Sequence, residues 1–193
     1  MGTSAVESEK VLAELACERL RAKTAPCVLI GGLGFGFTLK RVLELVGPEA
    51  RIHVVELLPE VVAWNREFLG EVNGKLLDDP RVQIFVDDVF QVLARSTPDL
   101  YDAIIMDVDN GPIAMVRDAN ARLYRDTGFD VITRALKPKG RVAFWSASDD
   151  KPFAKRLAKA GFTVKTVPAK SHERARRFDH LIFVADRGSY PGK

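Results

Sequence analysis

A glycine-rich turn in the first part of the chain has the residue types needed to hold a small ligand against the backbone. The turn is Gly32-Leu33-Gly34-Phe35-Gly36 and follows the apolar run 27–30. Glycines at such a turn let the backbone bend sharply and approach a ligand closely. The spacing does not match GxGxxG, because Phe37 replaces the last glycine, and no Lys-Ser or Lys-Thr pair completes a phosphate loop. A loop without a cation favours a nucleoside that lacks phosphates, and a plain strand-to-helix turn is the alternative.

Acidic residues follow the next apolar runs at corresponding places. Glu56 closes the run 51–56 and lies about two dozen residues after Gly32, near the ~20-residue offset at which an acid binds ribose hydroxyls. Asp88 follows the third run and Asp107 closes the fourth. A solvated acid at the strand end is the alternative for Glu56, and a helix cap or an Asx turn is the alternative for Asp107. Because the carboxyl ends of parallel strands share one edge of a sheet, the pattern predicts a ligand site at that edge.

The elements that position these residues are predicted from alternating periodicities. Short apolar runs predict strands at 27–30, 51–56, 82–86, 101–107, 141–146, 162–167 and 180–185. Helical spacing and turn residues predict helices at 8–21, 37–46, 59–69, 89–94, 127–136 and 152–160. Strands separated by helices specify an α/β fold with a mostly parallel sheet covered on both faces. The last two strands have no helix between them and should pair antiparallel.

Composition narrows the class of protein. The net charge of +3 is too small to predict a nucleic-acid partner, and the basic excess lies in Lys170 to Arg177. The two cysteines, Cys17 and Cys27, form no CxxC pair, so neither a disulfide framework nor a metal site is predicted. The start lacks the pattern of a signal peptide, and no apolar run reaches the ~20 residues of a membrane span. We therefore expect a cytoplasmic protein with no membrane segment, organised as one domain over residues 1–193.

Taken in order, five segments of the chain resemble a known family. They are 28–44, 54–62, 81–90, 101–107 and 136–140. Together they are similar to the class I S-adenosylmethionine-dependent methyltransferase fold, and most of all to its spermidine synthase-like branch. The resemblance implies a Rossmann-like, seven-stranded sheet in the order 3-2-1-4-5-7-6 with the last strand antiparallel. It also implies a site for the donor in which Gly32, Gly34 and Gly36 border the methionine portion. Glu56 would hold the ribose and Asp88 would receive the adenine amino group. Asp107 would lie beside the sulfonium.

The sequence departs from the polyamine-forming members of that family. Gly34 occupies the position of the acid that pairs with the amine of decarboxylated S-adenosylmethionine, so ordinary S-adenosylmethionine is no longer repelled there. The amine-binding stretch before the first strand has Leu12 and Ala13 in place of Tyr and His, and only Glu9 and Glu14 remain. The amino-terminal β domain of spermidine synthases is also absent. The residues of the donor site therefore resemble those of the family more closely than the residues of the acceptor pocket do.

The expected reaction is in-line displacement at a sulfonium-bound carbon, in which the protein aligns donor and acceptor and excludes water. We expect methyl transfer from S-adenosylmethionine to a small-molecule acceptor, with an amine among the candidates. The alternatives are spermidine synthase-like aminopropyl transfer from decarboxylated S-adenosylmethionine and a non-catalytic nucleoside-binding subunit. The resemblance also implies a homodimer.

Two aspartates and a tyrosine are candidates for roles near the acceptor. Asp107 is the first candidate for the residue that accepts a proton and Asp109 the second, although Asp-Asn-Gly-Pro is also strong turn chemistry. Tyr124 is a candidate for the substrate pocket, with a buried structural tyrosine as the alternative. Trp145 is expected to pack against the sheet, with stacking on the substrate as the alternative, and His180 is expected to have a structural role.

Overall fold

A computed structural model describes residues 6–108, 122–173, 175 and 177–189. Within these residues, seven strands form one sheet in the order β3-β2-β1-β4-β5-β7-β6. The strands are β1 (Cys27–Gly31), β2 (Arg51–Glu56), β3 (Val82–Val86), β4 (Tyr101–Met106), β5 (Leu136–Ser146), β6 (Phe162–Ala169) and β7 (His180–Arg187). β7 is antiparallel to both of its neighbours, and the other pairs are parallel. The predicted fold class is confirmed.

Helices cover both faces of the sheet. They are α1 (Glu7–Cys17), α2 (Phe37–Leu45), α3 (Pro59–Glu67), α4 (Gly70–Asn73), α5 (Val89–Arg95), α6 (Asp126–Ala135) and α7 (Lys151–Lys159). Helices α1 to α3 pack on one face, and α5 to α7 pack on the other. Short 3₁₀ turns at Leu76–Asp78 and Arg122–Tyr124 complete the described helical segments.

The core consists of two apolar layers separated by the sheet. β1 and β4 are buried along their whole length, as expected for strands covered on both faces. Because successive side chains point to opposite faces, Ile105 packs beneath α1 and Ile104 packs beneath the second helical layer. The same alternation places Trp145 on the α1 side and Phe144 on the other side.

Element boundaries differ from the sequence predictions in several places. α1 ends at Cys17 rather than near residue 21, and β4 ends at Met106, one residue early. β5 starts at Leu136 and includes the Lys-Pro-Lys-Gly stretch that we predicted to be a turn. That stretch keeps turn character, because Lys139 has a φ of 63° and the pairing with β4 shifts register there.

None of the helices in the described residues has both the length and the apolar character required to cross a membrane.

Candidate functional site

The glycine turn leaves β1 between β2 and β4 and requires glycine for steric reasons. Gly32 donates its N–H to the Val55 carbonyl at 2.8 Å, and the Gly31 carbonyl accepts from the Asp107 N–H at 2.9 Å. Gly32 has a φ of 89°, and a Cβ at this position would overlap the Asp107 carbonyl oxygen. A side chain at residue 32 would therefore push the turn away from the end of β4.

The far side of the turn is held by two buried asparagines. Asn65 on α3 donates to the Gly34 carbonyl at 2.8 Å, and Asn73 on α4 donates to the Phe35 carbonyl. Gly36 precedes α2 with a φ of 82°, and a Cβ there would lie 3.1 Å from Asn65 Oδ1. These contacts fix the carbonyl groups of the turn on the side away from the site.

Glu56 joins the glycine turn to the loop after β2. Its side chain is directed beneath the turn, where Oε2 accepts from the Leu33 N–H at 2.9 Å and Oε1 accepts from the Leu58 N–H at 3.0 Å. The residue is only 9% exposed. A carboxylate offers about four lone-pair positions, so each oxygen keeps one for another donor such as a ribose hydroxyl.

Asp88 lies at the same edge, but its carboxylate already has partners. It is the N-cap of α5, where Oδ1 accepts from the Phe90 N–H at 2.7 Å. Oδ2 accepts from Arg122 Nη2 at 2.6 Å, and the guanidinium lies 4.6 Å from the centre of the Phe90 ring. The position predicted to receive an adenine amino group is thus part of an ion pair with an arginine that the sequence pattern did not indicate.

Asp107 is the titratable group that the fold perturbs most clearly at this edge. It follows β4 beside the turn, and Oδ2 accepts from the Thr38 hydroxyl at 2.7 Å. Burial raises the pKa of Asp107 to about 6; the bond from Thr38 opposes the rise, and the negative charge of Glu9 adds to it. Glu9 on α1 and Asp107 after β4 therefore concentrate negative charge at this edge, which suits a cationic amine.

The other predicted site residues are less directly connected to Asp107 and the glycine turn. The Tyr124 ring is buried against Phe144 and Phe153 on the opposite side of the sheet. Its hydroxyl donates to the Val108 carbonyl at 3.1 Å, next to Asp107. Asp109 lies outside the described residues. The structure thus places Asp107, Glu56 and the glycine turn together, while the Tyr124 ring belongs to the core.

Several contact residues were not identified from the sequence. Thr38, Asn65, Asn73 and Arg122 are polar residues without a motif, and each acts on a group far away along the chain. Of these four, only Thr38 has a sequence feature by which it could have been found, because it lies at the start of the helix that follows the glycine turn. The others depend on which loops the fold brings together.

Comparison with known proteins identifies the family of the chain. The family model described as the spermine/spermidine synthase domain matches residues 11–157. Polyamine aminopropyltransferase 2 from Pseudomonas aeruginosa is 38% identical over 135 residues, which cover 66% of this chain and 36% of that protein. A polyamine aminopropyltransferase from Mycobacterium tuberculosis is 33% identical over 126 residues, covering 64% of this chain and 23% of that protein. The matched part thus spans about a third or less of these curated relatives.

Solved structures show the same fold. A spermidine synthase in complex with the transition state analogue AdoDATO has a TM-score of 0.78 at 20% identity, covering 97% of this chain and 63% of that one. The precorrin-6y C5,15-methyltransferase from Geobacter metallireducens has a TM-score of 0.66 at 16% identity, covering 93% of this chain and 87% of that one. At these identities the likeness establishes the fold alone.

Proposed function

Because the chain belongs to the spermine/spermidine synthase family, we propose that it catalyses transfer of an aminopropyl group from decarboxylated S-adenosylmethionine to an amine. The family resemblance found in the sequence is confirmed. Methyl transfer was the first expectation from the sequence, but the polyamine aminopropyltransferase relatives favour aminopropyl transfer, which was the alternative.

The observation that carries the proposal is the position and state of Asp107. Its backbone adjoins the glycine turn, and its carboxyl group has a pKa of about 6 because of burial. A carboxylate with that pKa is ionised at neutral pH and can still accept a proton, which is the requirement for a general base. Glu9 adds negative charge near the same point and would attract a cationic amine.

The residues present also fit an adenosyl donor. Glu56 keeps acceptor capacity on both oxygens for the two ribose hydroxyls, and among the described residues nothing beyond its chain neighbours lies within 4 Å of the Cβ position at Gly34, so a donor can approach the backbone there. Asp88 would accept from the adenine amino group with the lone pairs that Phe90 and Arg122 leave free. Gly32, Gly34 and Gly36 would border the remainder of the donor.

The protein mainly has to align the reactants, because the sulfonium is already a good leaving group. The amine lone pair forms an N–C bond as the C–S bond breaks, and the electron pair of that bond stays on sulfur in methylthioadenosine. Asp107 then accepts the proton that the newly alkylated nitrogen releases. Thr38 holds the carboxylate in place through Oδ2, which leaves Oδ1 for the amine.

The test is a product assay with purified protein, decarboxylated S-adenosylmethionine and a panel of amines. We expect methylthioadenosine to appear together with an aminopropylated amine. The Asp107→Asn variant should still bind the donor but form little product, whereas Asp130→Asn, at an exposed position on α6, should behave as the unmodified protein. Donor binding without product from any amine would instead support a nucleoside-binding subunit.

Methyl transfer is the second candidate, and the observation that favours it is Gly34. Among the described residues other than its chain neighbours, no atom lies within 4 Å of the position that a Cβ would occupy there, so no acid in this part of the chain opposes the carboxylate of ordinary S-adenosylmethionine at that point. Formation of S-adenosylhomocysteine from that donor would support this candidate. Gly34→Asp would then reduce binding of ordinary S-adenosylmethionine relative to its decarboxylated form, because the new carboxylate repels one and attracts the other.

The remaining expectations stay predictions. They are the single domain over residues 1–193, the homodimer, the cytoplasmic location and the absence of a nucleic-acid partner. Size-exclusion chromatography coupled to light scattering tests the homodimer directly.

A further inference from the structure

A row of side chains crosses the carboxyl edge of the sheet on the α1 side. β4 and β5 pair Met106 with Phe144, so Asp107 and Trp145 are the next pair along the two strands. Trp145 packs in the apolar layer beneath α1, and Asp107 contacts Thr38 on that same side. Because Met106 and Phe144 are the last pair, strand register places Trp145 at the same level of the sheet as Asp107, one strand away.

His180 extends this row on the far side of Trp145. β5 and β7 pair Trp145 with Ile182, and His180 lies two residues from Ile182 on the same face of β7. The centres of the indole and imidazole rings are 4.7 Å apart, with an angle of 40° between the rings. Asp107, Trp145 and His180 therefore occupy consecutive positions on three neighbouring strands.

Two nitrogen atoms of this row lack hydrogen-bond partners. Trp145 Nε1 and His180 Nδ1 are both buried, and neither has a partner in the part of the chain that the structure describes. Trp145 as a whole is 9% exposed. Leaving a buried polar group unpaired costs free energy that a ligand group of the right kind recovers on binding.

The identity of these atoms restricts the chemistry of that group. An indole N–H can only donate, whereas the Nδ1 atom of a neutral imidazole accepts when the proton is on Nε2. A protonated amine has no lone pair for the indole N–H, and an alkyl group satisfies neither nitrogen. A hydroxyl group satisfies both, because it accepts from the indole and donates to the imidazole.

Building on the proposed transfer reaction, we infer that the acceptor is an amine that also carries a hydroxyl group. Its nitrogen lies beside Asp107 and Glu9, and its hydroxyl group binds Trp145 Nε1 and His180 Nδ1. Trp145 and His180 thus determine acceptor specificity, and the site distinguishes an amino alcohol from a diamine of the same length. The sequence had favoured packing over substrate stacking for Trp145 and a structural role for His180.

The first experiment compares amino alcohols, diamines and alkylamines of matched chain length as acceptors for the unmodified protein. We expect kcat/KM for the best amino alcohol to exceed that of the matched alkylamine by roughly tenfold, the effect of one well-made hydrogen bond. Trp145→Phe keeps an aromatic ring but removes the N–H. This variant should lose the preference for the amino alcohol over the matched alkylamine, a selective change that a general loss of packing would not produce.

Trp64→Phe is the matched control and also provides a binding assay. Trp64 lies on α3, is 54% exposed and is the other of the two tryptophans in the chain. In Trp64→Phe protein the emission of Trp145 therefore reports ligand binding without requiring turnover. We expect amino alcohols to change this emission at lower concentration than matched alkylamines or diamines.

The outcomes separate this inference from the proposed reaction. If no amine yields methylthioadenosine but amino alcohols still bind preferentially in the fluorescence assay, the reaction is wrong and the hydroxyl site stands. If diamines or alkylamines are transferred or bound as well as amino alcohols, the hydroxyl site is overturned. Retention of the preference in Trp145→Phe would also overturn it, and the emission assay decides the question if that variant does not fold.

Discussion

Two aspartates mark the two ends of β4 and have opposite electrostatic environments. Asp102, at the amino end, is buried, which by itself raises its pKa. The N–H of Cys27 and the ammonium groups of Lys137 and Lys23 outweigh that effect, so the pKa of Asp102 is lowered overall. At the carboxyl end, burial dominates and the pKa of Asp107 rises to about 6. The same residue type is neutralised by cations at one end and has a raised pKa at the other.

The amino edge of the sheet is tied together by further ion pairs. Arg141 on β5 bonds Asp186 Oδ1 at 2.6 Å and Glu18 Oε2 at 2.9 Å, and Arg187 on β7 bonds Asp99 at 2.5 Å. At the carboxyl edge, Asp107 has a hydroxyl donor and a neighbouring acid, and Trp145 Nε1 and His180 Nδ1 have no hydrogen-bond partner among the residues that the structure describes. The satisfied edge stabilises the fold, whereas the edge with unmet hydrogen-bonding capacity is suited to binding and chemistry.

The largest predicted effect separates catalysis from stability at Asp107. Replacing a general base typically slows the chemical step by about 10²- to 10⁴-fold, so Asp107→Asn should reduce transfer by that range. Its unfolding free energy at neutral pH should not fall, because the variant removes a buried charge. Single-turnover kinetics and urea denaturation provide the two measurements. A variant with full turnover would show that another group accepts the proton.

The converse change at Asp102 should act on stability alone. Asp102→Ala removes the acceptor of the buried Cys27 N–H and of two lysines, at a cost of about 1.5–3 kcal/mol in unfolding free energy. Donor affinity, measured by calorimetry below the unfolding temperature, should be unchanged. A clear loss of donor affinity in a folded Asp102→Ala protein would remove the distinction between the two edges.

Glu56 tests whether a second carboxylate at the carboxyl edge serves the ligand. Glu56→Ala should weaken donor binding by about 1.5–3 kcal/mol, the range for hydrogen bonds to a charged group. Glu60→Ala is the matched control, because Glu60 is exposed four residues later in the first turn of α3. Equal calorimetric affinities for the unmodified protein and Glu56→Ala would exclude Glu56 from the donor site.

The smallest predicted effect is on pH dependence, where the two aspartates should respond in opposite directions. The folded pKa of Asp107 is about 6, above its ordinary value of 3.8, so its contribution to stability falls as pH rises between those values. The pKa of Asp102 is lowered, so its contribution is present above 3.8 and is lost on further acidification. Unfolding free energies of the two variants, measured from below pH 3.8 to above pH 6, detect both changes.

The same titration should appear in the reaction rate. Because Asp107 must be ionised to accept a proton, the rate should rise as pH passes through about 6 and be roughly tenfold lower one pH unit below that value. In Asp107→Asn the residual rate should not show this rise with pH. If the rise near pH 6 persists unchanged in the variant, a group other than Asp107 is responsible for it.

Much of the site could be predicted because it follows from strand ends. The glycine turn, Glu56 and Asp107 each stand directly after or at the end of an apolar run, and parallel strands bring such positions to one edge. The ion pair of Asp88 with Arg122 could not be predicted, since its partners are 34 residues apart and share no motif. Trp145 and His180 were assigned to packing because an unpaired nitrogen is a property of the folded environment.

The sequence by itself determined the seven strands, their alternation with helices, the family and the glycine turn, because periodicity and turn chemistry are local. Only the tertiary structure decided which aspartate of β4 is neutralised by lysines and which is left beside Glu9 and a threonine 69 residues away. The physical reason is that a pKa depends on burial and on the charges brought near by packing. A residue type and its neighbours along the chain do not specify either.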